Sequence, residues 1–148
     1  MIVCKNQVAQ TTTTTTPAPV NNFTLIKKPM KWIDAAVYCW DLGQRLAIIR
    51  NLAELRIVQD LVKTETWLAG NDFGHQGHWI WAEGNPHGVW KDFIEGGAVV
   101  GMDFNWVLRS GTNHDLKNEN CMFMQGNGEF NDLICNAPRY FLCDNGRN

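Results

Sequence analysis

The sequence predicts a single α+β domain behind a short tether, and three observations carry that reading. Two stretches with helical apolar spacing come first, short apolar runs between Gly- and Asn-rich loops come later, and five cysteines are spread over 148 residues. Helices first and strands afterwards is the pattern of an α+β domain. The length suits one domain, and the hydrophobic fraction, 45%, is that of an ordinary globular chain.

Residues 1–21 form the tether. Thr11 to Thr16, followed by Pro17, Ala18 and Pro19, is a low-complexity run. Its composition fits an O-glycosylated, extended segment with too little apolar surface to fold. Residues 1–9 are too short for a full signal peptide and read as the remnant of one, with an imperfect site ending near Ala9. Cys4 is the odd cysteine: a disulfide-linked dimer, a free thiol and leftover processing sequence all remain open for it. Asn22-Phe23-Thr24 is an N-glycosylation sequon at the tether's end, with Asn22 as acceptor.

The domain proper covers residues 22–148. Trp32, Ala35, Ala36, Cys39 and Leu42 recur at helical spacing and place a helix over about 30–42, with Gly43 as its stop. Leu46-Ala47-Ile48-Ile49 reads as a short buried strand. Asn51 caps a second helix, with Glu54 three residues on and Leu55, Val58, Leu61 and Val62 as its core stripe. Strands are expected around 79–81, 121–125 and 140–143. Between them, 90–117 has little periodicity, and a loop of that length inside a compact domain is usually functional.

Charge and targeting narrow the function. A formal net charge of -2 without a basic cluster gives no electrostatic reason to expect nucleic acid. No apolar run reaches the eighteen residues of a membrane span, so no membrane insertion is expected. A short chain with several cysteines reads as an extracellular disulfide framework, and without C-x-x-C it does not read as a zinc ribbon. Oxygen donors cluster beside the cysteines: Glu119 and Asn120 precede Cys121, while Asn131 and Asp132 precede Cys135. Such donors suit a hard cation such as calcium, which takes six to eight oxygens.

Taken in order, these residues resemble the C-type lectin domains, from about Phe23 to Asp144. Phe23-Thr24-Leu25-Ile26, Trp32, Ala35-Ala36 and Cys39 are similar to that family's first strand and helix. Arg45-Leu46-Ala47 resembles its "LA" strand, and Trp67-Leu68-Ala69-Gly70 its "WIGL" core. Trp79-Ile80-Trp81-Ala82-Glu83-Gly84 resembles "W-x-W-x-D-G", and Phe130-Asn131-Asp132 stands at "WND". The resemblance implies two helices flanking small antiparallel sheets, with a long ligand-binding loop. It also implies disulfides Cys39–Cys143 and Cys121–Cys135.

The resemblance further implies one calcium ion that also bonds two sugar hydroxyls, with Glu119, Asn131, Asp132 and Asn113 as metal and carbohydrate ligands. The family's Glu-Pro-Asn is altered here to Gly111-Thr112-Asn113. Gly111 has no side-chain oxygen, so one ligand is missing. A cis bond before Thr112 would cost about 2.5–4 kcal/mol, against about 0.5–1 before proline, so a trans bond is expected. Asp115 is a candidate replacement ligand, and with His114 where Asp is usual, no auxiliary calcium is expected. The long loop is expected to carry an insertion between about 91 and 104.

Other groups have plainer readings beside functional ones. Asn131-Asp132 alone would be a turn, and Glu119 alone a solvated acid. His75 and His78 offer an H-x-x-H pair for zinc or are simply solvated. Trp90 and Trp106 stack on a sugar or pack in the core. No G-x-S-x-G, H-E-x-x-H or P-loop occurs, so no enzyme is expected. Two functions follow: a secreted carbohydrate-binding lectin reading glycans or a glycoprotein in innate immunity, or a lectin-like domain that has lost sugar binding and holds a protein partner.

Overall fold

The structure, a computed structural model, describes residues 22–99 and 119–147. In chain order the elements are β1 (Phe23–Met30), α1 (Trp32–Asp41), β2 (Arg45–Leu46), α2 (Leu52–Leu61), β3 (Thr66–Asn71), β4 (Ile80–Trp81), α3 (Trp90–Ile94), β5 (Cys121–Met124), β6 (Phe130–Leu133) and β7 (Arg139–Asp144).

Both long helices form where apolar spacing places them. In α1, Trp32, Ala35, Ala36 and Cys39 are buried along one face. The helix closes on Gly43 at φ 82°, a left-handed conformation that glycine adopts without steric cost. The Gly43 N–H donates to Trp40 O and the Gln44 N–H to Cys39 O, both at 2.9 Å, which satisfies carbonyls the helix leaves unbonded. In α2, Asn51 Oδ1 accepts the Glu54 N–H at 2.9 Å. Glu54 in turn reaches back to the Arg50 N–H at 2.8 Å.

The strands join in one seven-stranded sheet among the described residues, in the order β1-β7-β3-β5-β6, with β2 paired to β7 and β4 to β3. The expectation was two helices flanking small antiparallel sheets, and the α+β class holds. The difference lies in β3, buried along its whole length, which bonds β7 on one side and β5 on the other. The β3–β7 pairing is parallel, Thr66 opposite Tyr140 and Trp67 opposite Phe141. The other pairings are antiparallel. A third helix, α3, also stands in the stretch read as loop, because Phe93 and Ile94 have a core to enter.

Indole N–H groups knit the core to backbone. Trp32 Nε1 donates to Leu68 O at 2.8 Å and Trp67 Nε1 to Met30 O at 2.9 Å, so both rings are buried without a stranded donor. The disulfides are Cys39–Cys143 and Cys121–Cys135, the pairs the resemblance implies. The first ties α1 to β7. The second ties the start of β5 to the turn after β6.

Candidate functional site

The expected site lies along β5 and β6. These strands pair with Met122 opposite Asp132 and Phe123 opposite Asn131. Successive strand side chains point to opposite faces. Asp132 therefore lies on the Met122 side and is 5% exposed, while Asn131 is on the other side and half-buried. There the Asn131 amide donates to Gln125 Oε1 at 3.1 Å. Its Oδ1 accepts the Asp132 N–H at 2.8 Å. The motif whose plain reading was a turn is thus a strand, and it is the last in the sheet order.

Glu119 is half-buried, two residues before Cys121. Asn113, with Gly111, Thr112, Asp115 and Trp106, lies outside the described residues, as does Cys4. Two carboxylates and one carboxamide are hard oxygen donors of the kind calcium takes, so the donor chemistry fits that ion. They fall short of the six to eight oxygens that calcium takes. Among the described residues, no three His, Cys, Asp or Glu side chains are grouped to hold a metal ion.

A second arrangement, which sequence reading missed, sits at the end of β3. Asp72 is 2% exposed. Its N–H donates to Asn120 O at 3.1 Å. Its Oδ1 accepts the Asn120 amide at 2.9 Å and its Oδ2 the Gly77 N–H at 2.8 Å. The neighbouring Asn71 donates to Ile94 O at 3.3 Å and accepts the Phe73 N–H at 3.2 Å. These two side chains pin the loop 73–78 to the end of α3 and to the residue that leads into β5. Their partners Ile94 and Asn120 lie 23 and 48 positions away, so no local pattern in the sequence marks these contacts.

Clefts open on either side of that loop. One, of about 370 Å³, is lined by Phe73, Asn120, Ile134, Cys135 and Asn136. The other, of about 380 Å³, is lined by Gly74, His75, His78, Ile80, Glu95 and Gly96. His75 and His78 thus face one space, with Glu95 added by the fold. Of the two roles set out for Trp90, packing is the one observed: its ring lies edge-on against Phe73 and Phe93, centroids 5.0 and 5.6 Å away, while the residue is 46% exposed. Asn22 is exposed, its N–H bonded to Asn145 Oδ1 at 2.9 Å.

Comparison with known proteins places the chain. Residues 28–145 match the family described as Lectin C-type domain. The chain is 24% identical over 126 residues to the CD209 antigen of Macaca mulatta, covering 83% of this chain and 28% of that protein. It is 28% identical over 112 residues to the low affinity immunoglobulin epsilon Fc receptor of Mus musculus, covering 75% of this chain and 29% of the receptor. The chain thus spans under a third of those relatives' length. Among solved structures, the mouse scavenger receptor C-type lectin carbohydrate-recognition domain superposes with a TM-score of 0.69 at 18% identity, covering 90% of this chain and 95% of that one. A calcium-independent type II antifreeze protein superposes with a TM-score of 0.65 at 24% identity, covering 87% and 88%. These likenesses show the fold, and the antifreeze protein shows that the fold serves other roles. The chain belongs to the C-type lectin domain family.

Proposed function

We propose that this domain is a secreted carbohydrate-binding lectin that recognises glycans through an altered calcium site. The observation that carries the reading is Asn131-Asp132 on the strand that stands last in the sheet order among the described residues of a C-type lectin domain, braced by Cys121–Cys135, with Glu119 leading into the paired strand. In this reading Glu119, Asn131, Asp132 and Asn113 supply oxygens to one calcium ion. The ion, when bound, supplies positive charge to the oxygens of two adjacent sugar hydroxyls. The protein's part is to hold carboxylate and amide groups where those hydroxyls also find hydrogen-bond partners. The function is binding rather than catalysis.

Extracellular placement is supported by two disulfides within a short chain. No helix among the described residues is long and apolar enough to cross a membrane. An N-glycan on the exposed Asn22, and a role in innate recognition of glycans, belong to the same proposal.

The second reading is a protein partner in place of a sugar. Gly111-Thr112 in place of Glu-Pro favours it, and one relative is named for its immunoglobulin ligand. Calcium titration by calorimetry, followed by a glycan array with and without chelator, separates the two. The lectin reading expects calcium-dependent stabilisation that Asp132→Ala abolishes, since an ion stabilises only the state that binds it. Absence of both calcium binding and chelator-sensitive glycan retention would leave the protein-partner reading standing.

A further inference from the structure

We propose that the cleft beside the Cys121–Cys135 disulfide is a second sugar site that works without calcium and takes a neutral pyranose, best an N-acetylhexosamine. None of Glu119, Asn131 or Asp132 lines it. Its walls are of two chemical kinds. Phe73, Ile134 and the Cys135 sulfur supply apolar surface, and Asn120 and Asn136 supply two carboxamides. Among the described residues that line it none is charged, which favours a neutral ligand over phosphate or an acidic sugar.

The carboxamide of Asn120 is set in place. One of its N–H groups is held at 2.9 Å by the carboxylate of Asp72, which is itself 2% exposed and tied to the Gly77 N–H. A carboxamide has two N–H donors and one acceptor oxygen. With one donor committed, Asn120 keeps one donor and its oxygen. That leftover pair matches a sugar hydroxyl, which donates once and accepts as well. Ordering cost falls when a polar group is fixed before the ligand arrives.

Phe73 is fixed in the same way. Its ring lies between Trp32, centroids 5.8 Å apart, and Trp90, 5.0 Å apart. Its backbone N–H is held by Asn71 Oδ1. A pyranose presents apolar C–H groups on one face and hydroxyls around its rim, so it uses aromatic and amide walls together. An acetamido group adds a methyl for Phe73 and Ile134, with an N–H and C=O for the carboxamides. The volume, about 370 Å³, is at the small end of the roughly 300–1,000 Å³ typical of ligand sites, which suits one sugar ring.

The test is amide NMR of the whole domain in excess EDTA, titrated with the methyl glycosides of N-acetylglucosamine, mannose and galactose and with N-acetylneuraminic acid. The side-chain amide signals of Asn120 and Asn136 should move with a neutral glycoside, most with N-acetylglucosamine, and stay still with the acidic sugar. Asn136→Ala and Ile134→Arg change exposed positions and should leave the rest of the amide spectrum in place. Each should weaken chelator-resistant binding by about fivefold or more, the loss of one hydrogen-bond partner or of the apolar wall. No shift from any neutral glycoside in EDTA would overturn the proposal. So would equal binding of the acidic sugar, or retention of full affinity by both variants. Shifts that need calcium and centre on Glu119 and Asp132, with the Asn120 and Asn136 amides still throughout, would overturn it while supporting the calcium site, so the two proposals fail separately.

Discussion

Arg45 and Asp144 form an ion pair sealed inside the domain: Nε lies 2.8 Å from Oδ1, and the side chains are 6% and 0% exposed. The second carboxylate oxygen accepts the Ile48 N–H at 2.8 Å, and Oδ1 also accepts the Gly146 N–H at 2.8 Å. The carboxylate therefore joins β2, the buried segment after it and the chain's last turn. Asp144→Ala should cost about 3–5 kcal/mol, because it strands a buried guanidinium and two N–H groups. Urea unfolding of parent and variant measures it, and a loss under about 1 kcal/mol, the scale of an exposed pair, would contradict the buried-pair account.

The same carboxylate carries a pH signature. Burial pushes its pKa up from the ordinary 3.8, against the opposing pull of the Ile48 N–H, the Arg45 charge and the Gly146 N–H. Between 3.8 and the raised native value, the native state keeps a proton that the unfolded chain has lost. This group's contribution is therefore full below 3.8 and declines as pH rises through the native value. Subtracting the stability of Asp144→Asn from that of the parent, at each pH, cancels the other carboxylates. The difference should fall as pH rises across that window; a rise would reverse the assignment.

At the start of α2, Asn51→Ala should destabilise by about 1 kcal/mol, within the range of roughly 0.5–2 for a lost N-cap. The removed contact is Oδ1 to the Glu54 N–H at 2.9 Å. Asn51→Gly should cost only a few tenths by the same rule. Thermal unfolding of the three proteins gives the ranking, and equal losses for Ala and Gly would show that the cap oxygen contributes nothing.

Removing the disulfides one at a time should separate them by loop length. Cys39–Cys143 spans 104 positions and Cys121–Cys135 spans 14. On the chain-entropy model a loop of about 100 residues is worth roughly 4.7 kcal/mol and one of about 15 roughly 3. Paired Cys→Ala variants, unfolded in urea, should follow that order. The reverse order would locate the effect in native contacts around the shorter bridge.

On the proposed calcium-site reading, sugar binding should be weaker and less selective than with an intact Glu-Pro-Asn. Gly111 removes one hydrogen-bond partner, and an unmatched buried hydroxyl costs about 1–3 kcal/mol. Gly111→Glu with Thr112→Pro should raise calcium affinity and create mannose-type binding, read on immobilised mannan with calcium. Strong chelator-sensitive retention of the parent would refute the altered-site reading. No gain in the double variant would point instead to the insertion expected between about 91 and 104 as what closes the site.

What the sequence determined by itself is local. The apolar spacing of Trp32, Ala35, Ala36 and Cys39, the stop at Gly43 and the cap at Asn51 were legible because a helix is built from partners three and four residues apart. The order of short motifs carried the resemblance, and with it the disulfide pairs. What only the tertiary structure decided depends on partners far along the chain. Phe130-Asn131-Asp132 is a strand because β5 supplies its hydrogen bonds, although the dipeptide by itself favours a turn. Trp90 starts a helix because Phe93 and Ile94 find a core. Arg45 meets Asp144 across 99 positions, and Asp72 meets Asn120 across 48. The disulfide-side cleft draws Phe73, Asn120 and Asn136 from three separate segments, and nothing in the spacing of those residues marks them as neighbours. Contacts of that kind form only after long loops are closed, and the entropy of closing them is repaid by the packed core as a whole rather than by any local pattern.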